Sequence, residues 1–292
     1  MISIIITSFK EPETIGKCIE SILNQDIKEK HEIIVACPDE ETKSVALKYK
    51  GIKHFQDPGK GKSFALNLLF KKAKGEILIF TDGDVYLAEN AINNILKKFE
   101  DSKVGFVGGR VVSQNNKNTM LGYWSHLLAD VGAHRTRQNR SDKEEFFECS
   151  GYLMAMRSGI IKEIPLDVAE DSIIPYYFFK QGHKIVYAGD AKVFVKNPTK
   201  FRDWLKQRKR TAKAHTKLNI YEPEFPKMKS FKNEIKEGFI SIWSYPKTPK
   251  EIFWTDLLCL ARLYMWLSLI YEEKIRKKYY NDGWDRVQTT KA

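Results

Sequence analysis

The chain has 292 residues, of which 42% are hydrophobic and 29% charged, which suffices for one large core or for one core with an appendage. Lysine and arginine number 49 against 37 aspartates and glutamates, a formal charge of +12, so anionic groups such as phosphates or an acidic membrane surface are natural partners. Four cysteines, at 18, 37, 149 and 259, have no paired metal-ligand spacing; they are expected as reduced thiols, which fits a cytosolic compartment and excludes a disulfide scaffold.

The run Ile2-Ser3-Ile4-Ile5-Ile6-Thr7 is short and apolar and lacks a basic leader, so it reads as a central strand rather than a signal peptide. A helix from Ile15 to Leu23 and a strand from His31 to Cys37 follow. The loop Gly59-Lys60-Gly61-Lys62-Ser63 then leads into the helical piece Phe64 to Leu69, the covered strand Ile77 to Phe80 and Thr81-Asp82-Gly83-Asp84. A phosphate-binding P-loop is excluded, because Gln56 stands where that motif needs glycine. At strand geometry Asp82 and Asp84, two residues apart, face one ion, and Gly83 lets the backbone approach or turn. Hard carboxylate oxygens suit Mg2+ or Mn2+, which keep positions open for substrate phosphates. The plain alternative is a turn, since Asp and Gly favour turns for backbone reasons; the glycine-lysine loop has the same plain reading. Strands and helices alternate to about residue 110, the pattern of an α/β sheet with crossover helices.

Further on, Met120 to Arg140 reads as a helix carrying Tyr123, Trp124, His126, Arg135 and Arg137. Charge is concentrated between Lys196 and Lys217, where nine basic residues meet the single acid Asp203. Such a run reads as a solvated helix face; Phe201 and Trp204 are expected to anchor it. Ile252 to Tyr271 is long enough to cross a bilayer, for which about 20 residues suffice, yet Asp256 and Arg262 within it argue against a lone spanning helix. It is expected either to pack on the domain or to lie in a membrane interface, with Trp254, Tyr264 and Trp266 at headgroup level and Lys274, Arg276, Lys277 and Lys278 on anionic lipid.

The order of these stretches resembles glycosyltransferase family 2, which has the GT-A fold. The resemblance runs from about residue 2 to residue 215. It takes in the opening strand and Ser8-Phe9-Lys10-Glu11-Pro12, the Asp-Gly-Asp, Phe106 to Val111, Cys149 to Arg157, Ala169-Glu170-Asp171, and Gln207-Arg208-Lys209-Arg210, which is similar to a Gln-x-x-Arg-Trp signature. The resemblance implies an α/β, Rossmann-like mixed sheet flanked by helices, a catalytic domain over 1–218 and a helical, possibly membrane-interfacial extension over 219–292. It implies an inverting, metal-dependent transfer of a sugar from a UDP- or GDP-linked donor to a lipid-linked or glycan acceptor, on the inner face of the cell membrane and without nucleic acid. Thr7, Phe9, Glu11, Asp39, Lys60, Lys62, Asp82 and Gln207 would bind the donor, and Asp84 with Asp82 would hold Mn2+ or Mg2+. Asp171 would be the base, flanked by Glu170 on the acceptor side and near Asp167, and Arg210 would hold the departing diphosphate. Asp171 has a plainer reading as a helix cap. His126, His134 and His215 read as structural or surface groups, although His215 shares the Arg210 helix. Thr211 replaces the signature tryptophan, and several transmembrane helices, which follow the signature in many polymer-forming members, are replaced by one apolar segment. Two other classes stay open: a nucleotidyltransferase of similar fold, and a non-enzymatic basic protein that binds membrane or nucleic acid.

Overall fold

The computed structural model describes residues 1–215, 217–226, 228, 239–275 and 290. Strand β1 (Ile2–Thr7) is buried along its whole length, as expected for an isoleucine run covered on both faces. It lies between β2 (His31–Cys37) and β4 (Ile77–Asp82), both parallel to it, and β2 pairs in turn with β3 (Ile52–Gln56). The remaining strands are β5 (Val85–Leu87), β6 (Val104–Ser113), β7 (Leu153–Arg157) and β8 (Lys184–Val195), and the eight-stranded order is β3-β2-β1-β4-β7-β6-β8-β5. Strand β7 runs antiparallel between β4 and β6, which makes the sheet mixed. Chain order reverses between β1 and β4, so the carboxyl ends of these two strands flank a switch point, the usual ligand crevice of an open α/β sheet. The register places Thr7 opposite Asp82 there.

Period-two alternation divides the isoleucines between two layers. Ile4 and Ile6 meet α1 (Ile15–Leu23) and α4 (Ala91–Lys98) through Ile15, Ile19, Ile22, Ile92 and Ile95. Ile5 lies on the other face with α3 (Lys62–Lys72) and α7 (Glu170–Lys180), through Leu66, Leu69, Ile173 and Phe178. Helix α2 (Glu40–Ala46) follows β2. Met120 to Arg140 is helical as expected: α5 (Met120–Leu127), a π-helical stretch over Leu128–Arg135, and α6 (Thr136–Asp142). Tyr123 and Trp124 are core residues here, and His126 is bound to the Asn115 carbonyl.

Helix α8 (Phe201–Lys213) is anchored by Trp204, which is buried, while Phe201 stacks on it from a more exposed position. Two short helices, α9 (Leu218–Tyr221) and α10 (Phe239–Ile242), precede the long α11 (Pro249–Lys274), which begins with Pro249 after a Thr248 cap. One face of α11, with Leu258 and Ala261, joins Trp124 and Trp204 in a shared cluster, and Lys209 and Lys213 of α8 pair with Glu272. The opposite face exposes Phe253, Leu260, Tyr264 and Leu267. By length and composition Pro249–Glu272 is apolar enough to cross a membrane, and the structure shows one side of it docked on the domain. Arg276, Lys277, Lys278 and the side chain of Lys274 lie outside the described residues. Phe225 and Met228, beyond residue 218, pack into the cluster of α3 and α7.

Candidate active site

Three of the residues expected to bind the donor, Thr7, Lys62 and Asp82, meet at the ends of β1 and β4. Thr7 Oγ1 donates to Asp82 Oδ1 at 2.8 Å, and Lys62 Nζ donates to the same oxygen at 2.7 Å. Lys62 also reaches Glu170 Oε1 at 3.0 Å. It stands at the first turn of α3, which starts from Gly61 at φ 104°, a conformation open to glycine and strained for other residues. Burial works against the Lys62 ammonium, but Asp82 and Glu170 outweigh it and hold the pKa above its ordinary value. Gly151 lies against this ion pair: a Cβ there would come within 2.9 Å of Glu170 Oε1 and 3.0 Å of Lys62 Nζ.

Strand β4 stops at Asp82, and Gly83 and Asp84 form a turn into β5. The strand-face argument for the two carboxylates is thereby corrected; the turn, not strand alternation, brings them together. The glycine is demanded by the β1 loop, since a Cβ on Gly83 would sit 2.4 Å from Ser8 Oγ and 2.7 Å from Glu11 Oε2. The Asp84 carboxyl is pushed up to about 7, first by burial and then by Asp82, with Lys62 and Arg210 opposing. Glu11 is buried and accepts from Ser8 Oγ at 2.7 Å. Asp39 caps α2 and accepts from the Thr42 and Lys10 backbone amides at 2.9 and 2.7 Å. Burial raises its pKa, and these hydrogen bonds outweigh burial and lower it. It therefore holds the Phe9–Glu11 loop against α2. Lys60 is exposed, with its ammonium 5.3 Å from the centre of the Phe64 ring.

Asp171 lies in the first turn of α7, one residue past Glu170. Ala169 occupies the cap position, so Asp171 is not the cap. Pro175 lies four residues later and has no N–H to close the helical bond to the Asp171 carbonyl. Cys149 takes that place, with its backbone N and its Sγ both 3.0 Å from the carbonyl. Asp167, expected near Asp171, pairs with Lys217 at 2.6 Å and accepts from the Tyr221 hydroxyl. Burial would raise its pKa, but those hydrogen bonds lower it. Gln207 and Arg210 occupy the last two turns of α8, Arg210 exposed and felt electrostatically at both Asp84 and Tyr152. His215 is not turned to the site but buried between Ser172 and Glu148.

The sequence reading passed over Tyr152. Its hydroxyl pKa is raised by burial first and then by Asp84 and Asp82, which places the phenol in the field of the acidic turn. Its position between Cys149 and Arg157 was the available signal.

Residues 3–164, more than half of the 292-residue chain, match Glycosyl transferase family 2. The chain belongs to glycosyl transferase family 2. Its sheet order and flanking helices are those of the GT-A glycosyltransferases. Among solved structures it resembles the mannosyltransferase PcManGT from Pyrobaculum calidifontis in complex with GDP-Man and Mn2+, at TM-score 0.67 and 17% identity, covering 95% of this chain and 88% of that one. It also resembles residues 1–349 of TarS from S. aureus in complex with UDP-GlcNAc, at TM-score 0.51 and 16% identity, covering 72% and 65%. Among curated sequences it is 23% identical over 205 residues to a hyaluronan synthase of Streptococcus pyogenes serotype M1, covering 66% of this chain and 47% of that protein. An N-acetylglucosaminyltransferase of Bradyrhizobium diazoefficiens is 22% identical over 235 residues, 73% and 48% of the two chains. The chain thus spans about half the length of these curated relatives.

The acidic turn also fits a divalent cation in donor chemistry: two carboxylates beside a buried phenol offer hard oxygens. Among the described residues no group of three or more His, Cys, Asp or Glu could hold an ion. The turn could therefore supply only part of a coordination sphere, as at sites where substrate phosphates complete it.

Proposed function

We propose that this family 2 member is an inverting, divalent-metal-dependent glycosyltransferase that moves a sugar from a UDP- or GDP-linked donor to a lipid-linked or glycan acceptor. The observation that carries the reading is the junction at Lys62, which ties the donor-side Asp82 and Thr7 to Glu170, the neighbour of Asp171. Thr7, Asp82 and Lys62 bind and orient the nucleotide at the strand switch point, with the Phe9–Glu11 loop held over it by Asp39. A cation held by Asp84 and Asp82 would neutralise diphosphate charge as the donor's glycosidic bond breaks. Arg210 supplies positive charge to the same region from the last turn of α8. Asp171 takes the proton of an acceptor hydroxyl; that oxygen bonds to the anomeric carbon as the diphosphate oxygen leaves, and one direct displacement inverts the centre. The nucleotide sugars bound by PcManGT and TarS, GDP-Man and UDP-GlcNAc, are the first donors to try here.

The exposed side of α11 supports peripheral contact with the inner face of the membrane. Phe253, Leu260, Tyr264 and Leu267 recur along one face of the helix, with Lys250 over the Trp254 ring at its start. Apolar side chains can enter the acyl boundary there while basic groups meet anionic headgroups. Vesicles of phosphatidylglycerol should bind the wild type and release a Phe253, Leu260 and Leu267 triple serine variant; equal binding removes this part of the reading.

The enzymatic reading is tested by thermal-shift measurements with UDP and GDP, each with and without Mn2+, followed by release of the diphosphate from the corresponding sugar donor. A ligand that binds only the folded state raises its melting temperature by mass action. One metal-dependent nucleotide with matching sugar turnover is expected. Release of pyrophosphate from a nucleoside triphosphate instead would make the protein a nucleotidyltransferase.

A further inference from the structure

A second polar cluster lies behind the candidate base, wholly out of solvent. Glu148, Ser172 and His215 are each at most 2% exposed. Ser172 Oγ lies 2.9 Å from Glu148 Oε2 and 2.8 Å from His215 Nε2, and Nε2 is 2.9 Å from the same carboxylate oxygen. The other ring nitrogen, Nδ1, lies 2.6 Å from the Thr211 carbonyl. That oxygen can only accept, so Nδ1 donates to it and Nε2 turns toward Glu148 and Ser172. Glu148 Oε1 accepts from the Met228 amide at 2.9 Å. Arg137 donates to the carbonyls of Glu148 and Cys149 at 2.9 and 2.7 Å, which fixes the backbone that carries the cluster.

Burying three polar side chains is costly unless each is hydrogen-bonded, and here their bonds join segments far apart in sequence. Ser172 follows Asp171 in the first turn of α7, and its Oγ lies 3.4 Å from Asp171 Oδ1. His215 follows the end of α8, whose last two turns carry Gln207 and Arg210. Cys149, next to Glu148, holds the Asp171 carbonyl that Pro175 leaves open. The Ala169 amide donates to the Ala214 carbonyl at 3.0 Å, a backbone bond between the same two helices. A serine, a histidine and an acid in contact resemble a hydrolytic set, but with this burial no substrate reaches them.

We propose that Glu148, Ser172 and His215 are positioning residues that hold Asp171 and the Arg210 end of α8 in one fixed relation, so that proton removal and diphosphate departure are aligned on the same substrate pair. This rests on the glycosyltransferase reading, with Asp171 as base and Arg210 at the leaving group. With Nδ1 donating to the Thr211 carbonyl, a proton must lie between Nε2 and Glu148 Oε2, since two lone pairs would repel at that distance; the cluster acts by holding geometry rather than by passing that proton on. A glutamine at 148 fits the same space: its amide N–H can donate to Nε2 while its oxygen accepts from the Met228 amide.

The test compares S172A, E148A and E148Q with the full-length wild type. GDP or UDP with Mn2+, whichever shifts the wild type, is the binding probe, and the matching nucleotide sugar with an acceptor mixture that supports wild-type turnover gives kcat. Alignment lost without loss of binding predicts kcat down about tenfold or more in S172A and E148A, with nucleotide affinity within about twofold of wild type. E148Q should recover kcat to within about threefold of wild type, because it restores the bonds without the charge. Should E148A fail to fold, S172A and E148Q still decide the matter. A folded S172A with wild-type kcat overturns the proposal, and so does an E148Q as impaired as S172A, which would point to a charge or proton-relay role. A wild type that binds neither nucleotide and turns over no sugar donor would sink the transferase reading and this proposal together, and would be told apart by that absence of wild-type signal.

Discussion

Asp84→Asn separates the cost of the acidic turn from its use. In the folded chain the Asp84 pKa rises from 3.8 to about 7, chiefly through burial and then through Asp82. The folded state therefore holds this proton more tightly than the unfolded chain. The resulting stability is fully present below about pH 4 and is lost as pH rises through about 7. At 1.36 kcal/mol per pH unit, the rise from 3.8 to about 7 bounds the loss at about 4 kcal/mol. Asp84 keeps some solvent contact, and screening reduces the expected figure to about 1–2 kcal/mol. Asparagine does not titrate. In EDTA, the variant should match the wild type near about pH 4 and exceed it by about 1–2 kcal/mol near about pH 8. Urea unfolding followed by tryptophan fluorescence measures this, with six tryptophans as reporters. Adding Mn2+ at the higher pH should reverse the order, because the ion binds the carboxylate and stabilises only the wild type. A gap that does not change with pH, or a variant less stable than wild type in EDTA near about pH 8, would refute the reasoning.

Asp171→Asn should retain the fold and nucleotide binding while transfer falls by about 100-fold or more, measured as diphosphate release; near-normal transfer removes Asp171 as base. Lys62→Met deprives Asp82 and Glu170 of a shared ammonium, and should cost about 2–4 kcal/mol in urea unfolding and weaken nucleotide binding. Gly83→Ala drives a methyl into Ser8 and Glu11, with an expected loss of about 1–3 kcal/mol and a lower nucleotide-dependent thermal shift.

The signals legible in the sequence were local ones. An isoleucine-rich run, Ile2 to Ile6, announced β1, the glycine-lysine loop announced the start of α3, and Asp82-Gly83-Asp84 announced the acidic turn. Pairings between distant segments were not legible. Nothing near Lys62 names Glu170 as its second partner, and nothing near Asp167 names Lys217 as its own. Pro175 lies inside α7, and only the fold shows Cys149 supplying the bond that proline cannot. His215 reads as a structural or surface group in the sequence, but its buried partners Glu148 and Ser172, which come from two other segments, are not legible there.

The two halves of the site have different structural origins, and this bears on how specificity could change without loss of chemistry. The donor side stands on parallel strands, where the register of β1 with β4 alone sets Thr7 beside Asp82. The side that carries the proposed base stands on α7, which packs on β6 and β8, and on α8, which is joined to α7 through buried polar bonds. Lys62 spans the halves by pairing with Asp82 and Glu170 at once. On the proposed reading, an exposed position of the Phe9–Glu11 loop such as Lys10 could vary to suit a different nucleotide while the distance from donor to base stays set by Lys62. On the same proposed reading, acceptor choice would lie beyond the ion pair, on the side of α5, α8 and α11, where the aromatic cluster of Trp124 and Trp204 supports the exposed face that we propose for the membrane. An acceptor delivered from a lipid surface would then approach along the helices that carry Arg210, and the nucleotide would enter from the strand ends.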